Sequence, residues 1–103
     1  MITRKQYLKT RPVCKVTFKL NKEEVNAKNS INIVGEFNDW DTSSIIMKSL
    51  KNGSFTKTID LAPGQEHQFR YLIDGNSWVN DDYADKYVFS EYGNCDNSVI
   101  VLK

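Results

Sequence analysis

In the stretch Pro12-Val13-Cys14-Lys15-Val16-Thr17-Phe18-Lys19-Leu20, apolar and polar side chains alternate from Cys14 onward. Successive side chains of a β-strand point to opposite faces of the sheet, so a period of two indicates one buried face and one solvated face. Cys14, Val16, Phe18 and Leu20 form the apolar face. The sequence therefore predicts a half-buried strand here.

Similar short segments recur along the chain at intervals of roughly ten residues, separated by Gly, Pro, Asn and Asp. They cover residues 31–34, 45–50, 54–61, 66–73 and 97–102, and a further short strand is expected around residues 87–89. No amphipathic helical pattern interrupts them. The pattern predicts an all-β chain, an antiparallel β-sandwich of about seven strands. Segment 97–102 is apolar on both faces, as a central or covered strand would be.

Turn residues lie between these segments. Asn52-Gly53 predicts a type I′ hairpin, because both central residues of that turn need positive φ. Pro63-Gly64 predicts another turn, since proline fixes φ and glycine tolerates the left-handed region. Asp74-Gly75 closes the strand that precedes Trp78.

The chain of 103 residues has the size of one domain. Residues 1–11 are polar and contain Arg4, Lys5, Lys9 and Arg11, so we expect a flexible basic N-terminal arm. Residues 12–103 are expected to form a single β-sandwich domain. Met1 and the end of the chain one residue after the last predicted strand favour a free-standing small protein over a piece of a longer one.

Net charge and apolar patterning exclude two classes of partner. The 14 Lys and Arg residues against 13 Asp and Glu give a net charge of +1, so nothing indicates nucleic acid or an anionic membrane as a partner. No apolar run approaches the roughly 20 residues of a membrane span, and no apolar segment follows the basic N-terminus as it would in a signal peptide. A cytoplasmic location is therefore expected.

The two cysteines, Cys14 and Cys95, lie far apart without C-x-x-C spacing. A chain without an export signal normally keeps its thiols reduced, so free, buried cysteines are expected. If both ends of the chain contribute neighbouring strands, the two thiols could approach each other, and their pairing stays open at this point.

The sequence gives little support to an enzyme. His67 is the one histidine and lies within a predicted strand, in register with Phe69 and Tyr71, which favours a structural role. One histidine and two distant cysteines match no zinc motif, and no phosphate loop or nucleophile motif is present, so we expect no metal, no cofactor and no catalysis. The pairs Asp39/Asp41 and Asp81/Asp82 resemble glycosidase carboxylates, but Asp beside Asn and Gly is typical of turns.

Two tryptophans and an arginine favour binding instead. Trp40 follows the polar turn of Val34-Gly35-Glu36-Phe37-Asn38-Asp39, Trp78 follows the turn at Asp74-Gly75, and Arg70 lies between them. An indole face can stack on the apolar face of a sugar ring, and Arg, Asn and Asp can bond its hydroxyls. The alternative is that the tryptophans belong to the core, which is less expected for Trp40, with its polar neighbours, than for Trp78.

An ordered set of motifs resembles carbohydrate-binding module family 48. These are Val34 to Trp40, Gly53-Ser54-Phe55, Leu61-Ala62-Pro63-Gly64, His67 to Gly75, Trp78 and Asn97-Ser98-Val99-Ile100, and the resemblance extends from about Val13 to Leu102. This is the isoamylase N-terminal or early set type, also found as the glycogen-binding domain of AMP-activated protein kinase β subunits. The resemblance implies an immunoglobulin-like β-sandwich that binds α-1,4-glucans without catalysis.

The resemblance also implies a set of carbohydrate-binding residues. Trp40 and Trp78 match the two stacking tryptophans, and Arg70 takes the place of a basic residue that contacts glucose hydroxyls. Aligning on Gly93 puts Asp96 where the family has a contacting asparagine, so this position departs from the family pattern. A carboxylate accepts hydrogen bonds but does not donate them, and Asn94 or Asn97 could replace the missing amide.

Three functions follow as hypotheses. The first is non-catalytic binding of glycogen, starch or maltooligosaccharides. The alternative is a protein-interaction early set domain that docks a glycogen-metabolising or amylolytic enzyme, or a regulatory protein, with little or no affinity for glucan. An independent glycosidase is the least supported of the three.

Overall fold

A computed structural model of the chain describes residues 1–21, 29–90 and 95–103. Within these ranges the chain forms nine strands and one short 3₁₀ helix, Glu36–Asn38. The strands are β1 (Ile2–Tyr7), β2 (Cys14–Leu20), β3 (Ile31–Gly35), β4 (Lys48–Ser49), β5 (Phe55–Leu61), β6 (Gln65–Ile73), β7 (Ser77–Val79), β8 (Lys86–Ser90) and β9 (Cys95–Leu102). The molecule extends 38 × 36 × 22 Å along its principal axes.

The strands form two sheets, and all of the pairings are antiparallel. Sheet 1 has the order β1-β2-β5-β4, and sheet 2 has the order β3-β6-β9-β8, with β7 added alongside β6. The predicted antiparallel β-sandwich is confirmed. The described strands number nine, because β1 and the three-residue β7 add to the seven expected. The prediction of a central final strand is also confirmed, since β9 lies between β6 and β8.

The core lies between the inner faces of the two sheets. Phe18 of β2 contacts Phe69 and Tyr71 of β6, with ring centroids 5.3 Å and 6.3 Å apart and both pairs edge to face. All three rings are fully buried. Edge-to-face aromatic pairs add about 0.5–1.5 kcal/mol each to the free energy gained from burial. The predicted half-buried strand from Cys14 to Leu20 is therefore confirmed, and the apolar face of β2 packs against β6.

The hairpin between β4 and β5 differs from the predicted type I′ turn. Gly53 has a φ of 87°, whereas Asn52 is not in the positive-φ region. The Gly53 amide donates to the Leu50 carbonyl, and the Leu50 amide donates to the Ser54 carbonyl, which leaves a three-residue loop. A type I turn followed by a left-handed glycine gives this loop. The glycine was placed correctly, but the loop is one residue longer than the two-residue turn.

Residues 45–50, predicted as one strand, instead connect the two sheets. The Ile33 amide donates to the Ile45 carbonyl and the Met47 amide donates to the Ile31 carbonyl, so this part pairs with β3 of sheet 2. Lys48 and Ser49 then pair with β5 of sheet 1. The segment therefore closes one side of the sandwich.

The N-terminal segment also differs from the expected flexible arm. Residues 2–7 form β1, an edge strand paired with β2, and Met1 is 5% exposed within the core. The Lys5 ammonium also bonds the Asp85 carboxylate at 2.7 Å. The basic composition suggested a solvated tail, but basic side chains on the outer face of an edge strand give the same composition.

Asp81 ties β1 to sheet 2 from a fully buried position. Its Oδ2 accepts hydrogen bonds from the Ile2 amide at 2.8 Å and the Tyr71 hydroxyl at 2.6 Å. Its Oδ1 accepts one from the Tyr83 amide at 2.7 Å. A buried carboxylate is tolerated where its oxygens are satisfied in this way. Asp81 therefore has a structural role in the core, whereas its sequence neighbours indicated a turn residue.

Replacing Asp81 tests this arrangement. We expect Asp81→Asn to lower the free energy of unfolding by about 3 kcal/mol, because an amide group would face the Ile2 and Tyr71 donors where an acceptor is needed. Urea denaturation followed by circular dichroism measures the change. Asp82→Asn is the matched control, since Asp82 is exposed, and should change stability by less than about 0.5 kcal/mol. Equal stability of the two variants would contradict the role given to Asp81.

Candidate functional site

A groove lies across the outer face of sheet 2. Strand register explains which side chains reach it: Arg70 is opposite Val34, and Leu72 is opposite Trp78, so Arg70 and Trp78 lie on the same face. The cavity has a volume of about 730 Å³. The described residues that line it are Glu36, Trp40, Gln68, Arg70, Trp78, Ser90, Cys95 and Asn97.

Arg70 and Trp78 form one wall of the groove. The guanidinium carbon lies 5.4 Å from the centroid of the Trp78 ring, within the range of a cation–π contact. Trp78 remains 41% exposed. The Arg70 Nε is buried without a hydrogen-bond partner within the described part of the chain. The indole therefore holds the guanidinium in place, while much of the Trp78 surface stays available to a ligand.

Trp40 projects from the loop that follows β3 and is 40% exposed. Its φ is 58° and that of Asp39 is 55°, so two successive residues with side chains adopt the left-handed region. This conformation is uncommon for residues other than glycine and costs of the order of 1 kcal/mol each. The Trp40 amide donates to the Gly35 carbonyl at 2.8 Å, which closes the loop on itself.

The side chain of Asn38 stabilises this loop. Its Oδ1 accepts from the Gly35 amide at 2.9 Å. Its Nδ2 is within 3.2 Å of the Ile33 and Asp41 carbonyls and 3.0 Å of the Ser44 hydroxyl. One amide therefore bonds both ends of the loop. These bonds offset the backbone strain at Asp39 and Trp40, because the left-handed pair is surrounded by fixed partners.

Gly35 allows the loop to leave β3 directly over β6. A Cβ at this position would lie 2.5 Å from the Gln68 carbonyl oxygen and 2.8 Å from the Phe69 Cβ. The next residue, Glu36, accepts a hydrogen bond from the Gln68 amide through its Oε1 at 2.7 Å. The β3–β6 pairing ends at Gly35 and Phe69, so this carboxylate replaces the missing strand partner of Gln68.

The structure brings together four of the six predicted site residues: Trp40, Arg70, Trp78 and Asn97 line the same groove. It does not bring Asp96 there. Asp96 pairs with Phe89 and so lies on the opposite face of β9 from Cys95 and Asn97. The alignment on Gly93 is one residue out of phase with the face of the groove. Asn94 lies outside the described residues.

Four lining residues were not predicted: Glu36, Gln68, Ser90 and Cys95. A signal for two of them was present, because counting in steps of two from Arg70 and from Asn97 gives Gln68 and Cys95. Glu36 and Ser90 depend on how the chain leaves β3 and on the pairing of β8 with β9. The positions of these two residues therefore depend on tertiary contacts, which the local sequence does not indicate.

The other titratable candidates have structural surroundings. His67 is buried, and its Nε2 lies 3.0 Å from the Ala62 carbonyl oxygen. Hydrogen bonds from the Ser43 amide and hydroxyl lower the pKa of Asp41, as expected of a turn carboxylate. Cys14 and Cys95 are free. In the described ranges no cluster of His, Cys, Asp or Glu is placed to hold a metal ion, and no helix is long and apolar enough to cross a membrane.

Fold and groove together define a class: a small β-sandwich with an open groove on the outer face of one sheet, walled by aromatic side chains. Residues 16–103 match the family described as the glycogen recognition site of AMP-activated protein kinase. This match covers most of the chain, and the chain belongs to that family. A comparison with curated proteins found no match.

Asn38 provides a test of how the Trp40 wall is built. In a Trp78→Phe background, where Trp40 is the remaining tryptophan, we expect Asn38→Ala to increase acrylamide quenching of Trp40 fluorescence. It should also lower the free energy of unfolding by about 2 kcal/mol, because several partners lose their hydrogen bond. Asn76→Ala is the control, since Asn76 lies in an exposed turn and bonds Ser77 alone through its side-chain oxygen. Unchanged quenching would show that the loop does not depend on Asn38.

Proposed function

We propose that this chain binds α-1,4-glucans, such as glycogen, starch and maltooligosaccharides, without catalysing a reaction on them. The observation that carries the proposal is the convergence of Trp40, Trp78 and Arg70 on one open groove in a chain of a glycogen-recognition family. The family supports glucan as the ligand class, and the groove supports a site for it.

The chemistry of the groove suits a sugar. Two half-exposed indoles offer apolar faces on which the C–H face of a glucose ring can stack. The same groove is lined by Arg70, whose guanidinium can donate to hydroxyl groups, and by Gln68 and Asn97, whose amides can donate or accept. Glucose presents both kinds of surface, since its ring is apolar on its faces and ringed with hydroxyls at its edge.

The position of the groove suits a polymer. It lies open on the outer face of a sheet, so a glucan chain can cross it and continue on both sides. Two stacking contacts of about 1 kcal/mol each, with a few hydrogen bonds to hydroxyls, give a dissociation constant in the micromolar to millimolar range.

The carboxylates support binding without catalysis. Glycosidases of the common kind need two carboxyl groups flanking the scissile bond. Among the described lining residues Glu36 is the one carboxylate, and it accepts a hydrogen bond from the main-chain amide of Gln68. Asp81, which the sequence offered as a second candidate, is held in the core. We also propose a cytoplasmic location, with which the free thiols of Cys14 and Cys95 are compatible.

Protein docking is the second candidate, and one observation favours it. Tyr83, Tyr87 and Phe89 are 70%, 46% and 59% exposed. The last two belong to β8, an edge strand of sheet 2. Exposed aromatic side chains on an edge strand are typical of interaction surfaces. A glycogen-metabolising enzyme or a regulatory protein is the partner that this alternative proposes.

The tryptophans test glucan binding. We expect the wild-type protein to be retarded in a native gel that contains glycogen, and Trp40→Ala and Trp78→Ala each to weaken binding by about fivefold, because each removes a stacking contact of about 1 kcal/mol. Tyr83→Ala is the control, an exposed aromatic outside the groove, and should be retarded like the wild type. If both tryptophan variants match the wild type, the site is wrong. If the wild type is not retarded by any α-glucan, protein docking becomes the leading function.

A further inference from the structure

Strand β8 lies at one edge of sheet 2. All five of its residues pair in an unbroken register with β9, and within the described part of the chain no strand pairs with its other side. A strand in this position presents main-chain N–H and C=O groups that another strand can bond. Two of its side chains, Tyr87 and Phe89, are large, apolar and exposed. β8 therefore combines free hydrogen-bonding groups with apolar surface.

The other three edges of the described sheets are protected against pairing. Residues 45–47 cover the edge of β3, and β4 has only two residues. β1 carries the basic side chains Arg4 and Lys5 and has an irregular register near its start. Short strands, basic side chains and irregular register are means by which proteins prevent association at sheet edges. On β8 the one basic side chain, Lys86, is at the first residue and forms an ion pair with Glu66.

The aromatic side chains of β8 lie on the inner face of sheet 2. Tyr87 and Phe69 are both opposite Ser98, on either side of β9, and Phe69 belongs to the core. Tyr87 and Phe89 therefore point to the same face as the core, since residues opposite each other share a face of the sheet. Both remain about half-exposed, so sheet 1 leaves this part of the inner face uncovered.

The sequence of β8 is complementary to itself about its central residue, Val88. In an antiparallel pair of two β8 strands with Val88 opposite Val88, Tyr87 of each copy is opposite Phe89 of the other. Residues opposite each other have side chains on the same face, so two aromatic pairs form side by side. Lys86 is then opposite Ser90, and no like charges meet. A second copy of the chain therefore supplies what the edge lacks.

We propose that the chain forms a symmetric dimer in which β8 pairs antiparallel with β8 of a second copy, with the two-fold axis at Val88. Tyr87 and Phe89 together offer roughly 200 Å² of exposed surface per copy, if a whole aromatic side chain offers about 200 Å². With the main chain of a five-residue strand added, the interface stays below the roughly 1,200 Å² of stable complexes. The dimer is therefore weak and dissociates on dilution.

This dimer places two binding grooves on one surface. The two-fold axis is perpendicular to the sheet, so the outer faces of both copies of sheet 2 lie on the same side. The two β6 strands are separated by five strand spacings, about 24 Å. This consequence rests on the proposed glucan binding: a glucan long enough to reach both grooves binds more tightly than a short one, because the second contact is intramolecular. A polymer that brings copies together also favours their pairing.

The mass of the protein without ligand tests the dimer directly. In analytical ultracentrifugation we expect the average mass of the wild type to rise from that of one chain in the micromolar range towards twice that value in the millimolar range. Tyr83→Ala removes an exposed aromatic side chain that precedes β8, and it is the matched control that should associate as the wild type does. If the wild type keeps the mass of one chain at every concentration, the dimer is overturned and the edge is left to a partner of another kind.

Charged variants at the axis test the register. Because Val88 faces its own copy, Val88→Lys and Val88→Glu each place like charges opposite each other, and each variant alone should keep the mass of one chain. An equal mixture of the two should form the dimer again, since opposite charges then meet. This recovery also shows that both variants are folded. If each variant alone associates as strongly as the wild type, or if the mixture does not associate, pairing of β8 about Val88 is overturned.

Glucan binding separates the dimer from the proposed function. In a native gel that contains glycogen we expect Val88→Lys to bind at least about tenfold more weakly than the wild type, whereas a maltooligosaccharide too short to reach two grooves should bind both proteins equally. Equal binding of glycogen would overturn the joint use of two grooves. If the wild type binds no α-glucan but its mass doubles, the proposed function fails and the dimer stands.

Discussion

At Gly35 the main chain of β3 runs so close to the main chain of β6 that a Cβ would lie 2.5 Å from the Gln68 carbonyl oxygen. The groove is built outward from this contact. The carbonyl of Gly35 accepts a hydrogen bond from the main-chain amide of Trp40, and the carboxylate of Glu36 accepts one from the main-chain amide of Gln68. The absence of a side chain at Gly35 therefore determines the position of Trp40 at the side of the groove and the position of Gln68 next to it. The groove depends on this backbone contact between β3 and β6.

The loop that carries Trp40 shows how strain and function are balanced. Two successive left-handed residues would be unstable in an isolated peptide, and Asn38 stabilises them by bonding both ends of the loop. The same residues continue into the segment that pairs first with β3 and then with β5. A rigid loop loses little conformational entropy when a ligand binds, so the affinity of a site with few contacts is preserved.

The sequence predicts the architecture well where the signal is local. The alternation from Cys14 to Leu20, the two-sided apolar strand at the C-terminus and the grouping of Trp40, Trp78 and Arg70 required only side-chain periodicity and turn chemistry, together with the family resemblance.

Prediction from the sequence fails where the structure of a segment depends on contacts with residues distant in sequence. Residues 1–11 looked like a tail because the partner of their main chain, β2, cannot be identified from composition. Asp81 was interpreted as a turn residue because its hydrogen-bond partners, Tyr71 and Ile2, are not its sequence neighbours and are brought to it only by the fold. Asp96 was chosen by alignment, and the face of a strand changes with a shift of one residue.

The dimensions of the sandwich set a limit that concerns polymers and not single sugars. The module is 38 × 36 Å across and 22 Å thick, whereas the groove lined by Trp40 and Trp78 has a volume of about 730 Å³ and has room for only a short length of a polymer. On a long glucan each bound copy would therefore cover many more sugar units than it contacts and exclude its neighbours from them. Occupancy of such a lattice saturates well before every site is filled, and crowding on the polymer surface then sets the maximum loading, however strong the individual contacts are.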